Sequence, residues 1–200
     1  MDSDTILAQV FSSVIVFVHT LIGLIFVPYK MMRRASIAVS FTNVLVIGII
    51  SCIYFYISKD TLSEVAVSSI TALFLFVSTI ILFSFLPGEG TQKERLKRYA
   101  ATWSLSYVPT LFWFYAGMLL FIIIPPPRTQ SIGGISLSIL FLAYSVSLLL
   151  WKMILVYLSI RFSSRVHLYR VIYYIFLYLA VSIPLWILFY NLHIFRVPFV

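Results

Sequence analysis

Long apolar runs, broken only by short hydrophilic segments, occupy nearly the whole of this 200-residue chain. A run of about 20 apolar residues crosses the roughly 30 Å hydrocarbon core of a bilayer as an α-helix. About six such runs can be drawn, over 6–27, 37–57, 65–86, 103–124, 135–160 and 171–190. In lipid every backbone N–H and C=O must find a partner within the protein, which leaves helices or closed barrels. Barrel strands alternate polar and apolar residues over about ten positions, whereas these segments are continuously apolar. The expected fold is therefore all-α: a polytopic membrane helical bundle with about six transmembrane helices. The chain is 62% hydrophobic and only 10% charged, with mean hydropathy +1.07. That leaves no material for a soluble domain, so residues 1–200 read as one integral membrane domain. The first run begins Met1-Asp2-Ser3-Asp4. It is acidic where a signal peptide is basic and too long for such a peptide's apolar region, so it reads as a retained span.

The charges set a direction. Lys30, Arg33 and Arg34 follow the first run, and Lys93, Arg95, Lys97 and Arg98 follow the third. Arg161, Arg165 and Arg170 follow the fifth. The alternate breaks and the tail hold one basic residue each, Lys59, Arg128 and Arg196. Ten against three places the basic loops in the cytoplasm by the positive-inside rule, and both termini on the non-cytoplasmic side. The same rule accounts for the net charge of +8, so no nucleic-acid partner is implied. Three spans on each side of the central loop are formally compatible with an inverted repeat, but no residues match between the halves.

The central loop is the best-formed local motif. Thr91-Gln92-Lys93-Glu94 fits a capping box, and Glu94 and Arg98 stand four apart, where they can pair. Leu96, Tyr99, Ala100 and Trp103 share one helical face, with the basic residues largely elsewhere. The expectation is a short amphipathic helix over Thr91–Trp103 lying along the interface. Its cations Lys93, Arg95, Lys97 and Arg98 are candidates for contact with anionic lipid or a partner, set against simple anchoring of the topology.

Lys152 is the only charged residue well inside a run, and such residues are functional candidates by default. Snorkelling of its stem toward the headgroups is the simpler expectation. A polar contact within the bundle and contact with a substrate or headgroup are the alternatives. His19 and Asn43 read as interhelical hydrogen-bonding residues. His19, His167 and His193 belong to different depths, and the lone Cys52 joins no cluster, so no metal or cofactor is expected. Intramembrane carboxylate pairs, phosphate-binding glycine loops, HExxH and GxSxG do not occur in the sequence, and the chain reads as a non-enzyme.

Three stretches carry a family likeness: Pro28-Tyr29-Lys30-Met31-Met32-Arg33-Arg34; Gly88-Glu89-Gly90-Thr91-Gln92-Lys93 followed by Leu105-Ser106-Tyr107-Val108-Pro109; and Leu150-Trp151 through Ser163-Ser164-Arg165-Val166. Over about Pro28–Leu192 the chain resembles the Yip family, five-span membrane proteins named for interaction with Rab-type GTPases. The resemblance implies a five-span core that starts in the cytoplasm, preceded here by an extra helix. The acidic N-terminal region of eukaryotic members and their Asp-Leu-Tyr-Gly-Pro-type sequence are missing, so GTPase binding is not carried over. The functional expectation is a scaffold or accessory subunit in membrane organisation or trafficking-like processes. Its partners would be anionic headgroups and other membrane subunits. The alternative is a small permease or the membrane subunit of a transporter.

Overall fold

The computed structural model describes residues 3–37, 42–58, 61–124 and 131–192, with side chains from Ile15 and Asn43 onward in the first two stretches. Lys59, Asp60, the prolines 125–127, Arg128, His193 and Arg196 lie outside the described residues, as do the side chains of Asp2 and Asp4. The described chain is all-α. Its helices are α1 (Ser3–Phe26), α2 (Pro28–Ile37), α3 (Thr42–Ser58), α4 (Leu62–Phe85), α5 (Gln92–Ser106), α6 (Val108–Ile123), α7 (Ile132–Ser164) and α8 (Leu168–Asn191).

Local chemistry sets several of these boundaries. Thr61 and Ser131 cap α4 and α7 by accepting from the amides of Glu64 and Gly134 at 3.3 and 3.0 Å, which satisfies amides that a helix start leaves without partners. Arg165 ends α7 in the left-handed conformation, φ 54°, a position glycine usually takes. Pro109 enters at the first turn of α6, where its missing N–H costs least, and separates α5 from α6 at Tyr107.

Four helical stretches are long and apolar enough to cross a membrane: Leu62–Phe85, Gln92–Ile123 through α5 and α6, Ile132–Ser164 and Leu168–Asn191. Two shorter apolar stretches, Ile15–Phe26 and Asn43–Ser58, accompany them. The outer surface carries large apolar side chains throughout, including Phe74 and Phe85 on α4, Leu140 and Leu142 on α7 and Phe176 on α8. A contiguous apolar surface of this kind marks a face that water does not cover.

Three sequence expectations change. The basic stretch after the first run is a helix: α2 packs on α5 and α7, burying Met32 and Ser36 and leaving Lys30, Arg33 and Arg34 exposed. The helical stretch that holds the expected span over 103–124 begins eleven residues earlier, at Gln92, and is interrupted at Tyr107. Most importantly, α5 does not lie along a surface. It packs against α2, α3, α4 and α7, and the run from Ala101 to Ser106 is buried on all sides. Only its first turns are exposed, and there Leu96 faces outward.

The polar composition that made α5 look interfacial has another use. Ser104 and Ser106 donate to Ala101 O and Trp103 O of their own helix at 2.9 and 2.7 Å, so their hydroxyls are satisfied while their small size lets neighbouring backbones approach. Two apolar clusters meet around this helix. One joins Leu24, Met32, Ile47, Leu105, Val108 and Leu155; the other joins Ile80, Phe83, Tyr99, Trp103, Ile160 and Val171.

Candidate functional site

The segments carrying the ten loop cations converge. The turn Pro87–Gly90, the start of α5 and the end of α7 form one junction, with α2 and the first turns of α8 against it. Glu89 N–H donates to Ser164 O at 2.9 Å, and Tyr174 OH donates to Pro87 O at 2.9 Å. Tyr29 of α2 meets the ring of Phe162 edge-on at 5.0 Å. Two glycines make the turn possible. A Cβ on Gly88 would stand 2.6 Å from Ser164 O, closer than van der Waals contact permits. Gly90 holds φ 84°, where an L side chain is strained.

The capping box at α5 is present. Glu94 N–H donates to Thr91 Oγ1 at 3.3 Å, and Thr91 N–H donates to the Glu94 carboxylate at 3.2 Å. The expected Glu94–Arg98 pair gives way to a different arrangement, because each arginine of this turn caps the C-terminus of another helix. Arg95 Nε donates to Ser84 O at the end of α4 at 3.1 Å, and its Nη1 reaches Gly88 O and Gly90 O at 3.2 and 2.6 Å. Arg98, 8% exposed, donates from Nε to Ser163 O at 3.0 Å and from Nη2 to Glu89 O at 2.5 Å. The last carbonyls of a helix have no partner within it and form the negative end of its dipole. A guanidinium satisfies both conditions, with five donors in a planar fork. Below Arg98, Thr102 Oγ1 shares hydrogen bonds with Ser159 Oγ and Ser163 Oγ at 2.7 and 2.8 Å, tying α5 to α7.

The five candidate residues thus separate. Lys93 and Lys97 are exposed. Arg95 and Arg98 are structural caps and are removed from that role. Lys152 is not snorkelled: it is 5% exposed, and its Nζ donates to Thr110 Oγ1 at 2.9 Å, with the Tyr107 ring centroid at 5.1 Å. Its ammonium therefore lies against the α5–α6 interruption, where a hydroxyl and an aromatic face meet it. His19 is exposed on α1 rather than turned to a neighbour, and Asn43 is half-buried near the start of α3.

Sequence reasoning passed over the cations that join Lys93 and Lys97 at this end, namely Lys30, Arg33 and Arg34 of α2 and Arg161, Arg165 and Arg170 around the α7–α8 turn, all exposed. The sequence reading includes them in a basic cytoplasmic face that meets anionic headgroups, without singling them out as site residues. Arg161 stacks toward Tyr29 and Tyr157, 5.9 Å from each ring centroid, and donates to Tyr157 OH at 2.8 Å. The i, i+4 spacing of Ser159 and Ser163 was the available signal for the polar seam.

No protein-family model, curated protein or solved structure matches this chain.

Proposed function

We propose that the chain is a non-enzymatic, multi-pass integral membrane protein that serves as a scaffold or accessory subunit in membrane organisation. Its basic end faces the cytoplasm, where it docks anionic lipid headgroups and meets other membrane subunits. The observation that carries this reading is the convergence of three basic segments, distant in sequence, on one junction. Eight exposed cations stand there beside two exposed carboxylates, Glu89 and Glu94. Each Lys or Arg near an anionic leaflet contributes about 1 kcal/mol of attraction. In this reading α1 and α3 complete six spans, and both termini lie outside. The resemblance to Yip-type proteins points to the same class and rests on its residues alone. Flotation with vesicles tests it. Protein changed to Gln at Lys30, Arg33, Arg34, Lys93 and Lys97 is expected to lose its enrichment of phosphatidylglycerol over phosphatidylcholine. Unchanged enrichment overturns the reading.

A second reading, a small permease or transporter subunit, is favoured by one observation. An interrupted helix beside a buried cation is the arrangement that many transporters use to build a solute site, and Tyr107–Pro109 with Lys152 has that form. Solute flux into proteoliposomes that is lost on Lys152→Met would establish it in place of the scaffold.

A further inference from the structure

Arg161 is held in place without its donors being used up. Its Nη1 donates to Tyr157 OH at 2.8 Å, and this pair is exposed. The Tyr29 and Tyr157 ring centroids each lie 5.9 Å from its guanidinium carbon, within the range of cation–π attraction. Both rings are themselves fixed. Tyr29 packs edge-on against Phe162 at 5.0 Å, and Tyr157 packs against both apolar clusters.

A guanidinium carries five N–H donors in a planar fork. Arg95 and Arg98 spend theirs on helix ends, whereas Nε and Nη2 of Arg161 meet no acceptor among the described residues, and neither does the phenol hydrogen of Tyr157. Carbonyls at the end of α7 are engaged elsewhere: Ser163 O by Arg98, Ser164 O by the Glu89 N–H and Arg161 O by the Arg165 N–H. What remains is a pre-organised set of donors, the side edge of a guanidinium and a phenol O–H on the same helix face. Such a set suits the oxygens of a phosphate, through short charge-assisted hydrogen bonds.

The surface below the pair selects the source of that anion. Residues 150, 154, 157 and 161 follow the i, i+4, i+7, i+11 spacing of one helix face. Between Leu150 and Arg161 the exposed residue of α7 is Ile154, and Leu150 is exposed as well. This strip gives a soluble anion nothing to bind and gives methylenes a surface to pack on. From Arg161 to Leu150 is eleven residues, about 16 Å of helix. That is about half of the roughly 30 Å hydrocarbon core, the depth of one leaflet.

We propose that the α2–α7 junction binds one phospholipid through its phosphate, which accepts from Arg161 and Tyr157 while an acyl chain lies along Ile154 and Leu150. The inference rests on the membrane reading above and deepens it. The scattered cations of the basic end respond to net headgroup charge. This pair reads the phosphate, which anionic and zwitterionic phospholipids share.

Full-length protein in mild detergent is loaded with phosphatidylglycerol, phosphatidylcholine or diacylglycerol of the same chains, and retained lipid is counted by native mass spectrometry. Wild type is expected to keep both phospholipids in excess of diacylglycerol. Tyr157→Phe keeps the ring and removes the phenol hydrogen, and Arg161→Lys keeps the charge and removes the fork. Each should lower retention of both phospholipids about tenfold, as expected for one lost hydrogen bond to a charged group, and leave diacylglycerol unchanged. Wild-type retention in both variants overturns the inference, as does an equal loss of diacylglycerol, which reports a general loss of structure. Displacement of the lipid by inorganic phosphate assigns the donors to a soluble anion, and displacement by a Glu-rich peptide assigns them to an acidic partner; either result overturns it too. The five-residue Gln variant leaves Arg161 and Tyr157 intact. If it keeps the preference for phosphatidylglycerol the proposed function fails, while a parallel loss of both phospholipids in Tyr157→Phe still upholds the phosphate site.

Discussion

Arg98 donates its Nε hydrogen to the carbonyl of Ser163, 65 residues away along the chain, at 3.0 Å. This bond fixes the start of α5 to the end of α7, and its companion to Glu89 O fixes it to the turn Pro87–Gly90. Arg98→Met removes both donors and leaves two carbonyls without them. Hydrogen bonds from a charged donor contribute about 1.5–3 kcal/mol each, so a loss of about 3 kcal/mol is expected. Arg98→Lys retains the charge but not the fork and should recover less than half. Thermal unfolding in mild detergent measures this, and an unchanged transition in Arg98→Met would return the residue to the docking surface.

The seam below it is worth less. Thr102→Val replaces the hydroxyl that meets Ser159 and Ser163 with a methyl of similar size. Interhelical hydrogen bonds within bilayers average about 0.6 kcal/mol and reach about 1.7. A loss of about 1 kcal/mol is expected, with clear non-additivity when Ser163→Ala is combined with it. Simple additivity in that cycle would mean the two hydroxyls are not coupled.

The turn gives a sterically defined contrast. Gly88→Ala drives a Cβ toward Ser164 O and breaks the Glu89 N–H bond to the same carbonyl, at a cost of about 1–3 kcal/mol. Gly90→Ala adds the left-handed conformation, at about 1 kcal/mol, and meets the Glu94 carboxylate and the Arg98 guanidinium, which are ends of side chains that can shift where the Ser164 backbone cannot. Gly88→Ala should therefore be the more damaging of the two, and the order can be read from their unfolding midpoints.

The helical character of the chain was legible because apolar runs of this length permit little else, and the capping box at Thr91 was legible because its chemistry is local. What α5 does was not. Its early residues have the composition of a surface helix, and sequence pattern assigns charge to the outside. The guanidiniums of Arg95 and Arg98 are turned inward by helix C-termini that arrive from 84 and 163, a relationship no window of sequence contains. Lys152 was misplaced for a similar reason. A free lysine stem reaches for headgroups, and only the fold shows Thr110 and the Tyr107 ring waiting at shorter range. The convergence of Lys30, Arg33 and Arg34 with Lys93 and Lys97 was implicit in the charge alternation, but the packing of α2 that produces it was not.

Topology can be tested by labelling. Cys52 is the only cysteine, so a Cys52→Ser background is clean. Single cysteines at Arg33, Lys93 and Arg165, all exposed, should react with a membrane-impermeant thiol reagent from the same, cytoplasmic side. A cysteine at Lys59 should react only from the other. Labelling of position 93 from outside would sink the proposed orientation.

The same background decides the role of Lys152. Its side chain is enclosed, so Lys152→Cys should resist an impermeant reagent from either side, whereas a residue reaching the headgroups would react from the cytoplasm. Lys152→Met keeps the length of the stem and removes the ammonium. No bare buried charge is created by that change. Stability should therefore change by less than about 1 kcal/mol, since exchanging a buried polar contact for packed apolar atoms is close to neutral. Lys152→Glu places a carboxylate against the face of the Tyr107 ring, whose quadrupole repels it, and should be strongly destabilising. The informative comparison is between folding and flux. A Lys152→Met protein that unfolds at the wild-type temperature and has lost a solute flux that the wild type supports would make this lysine a transport residue. One that unfolds several degrees lower would make it a structural tie between α6 and α7. One that matches wild type in both leaves the scaffold reading in place, and that is the expected result.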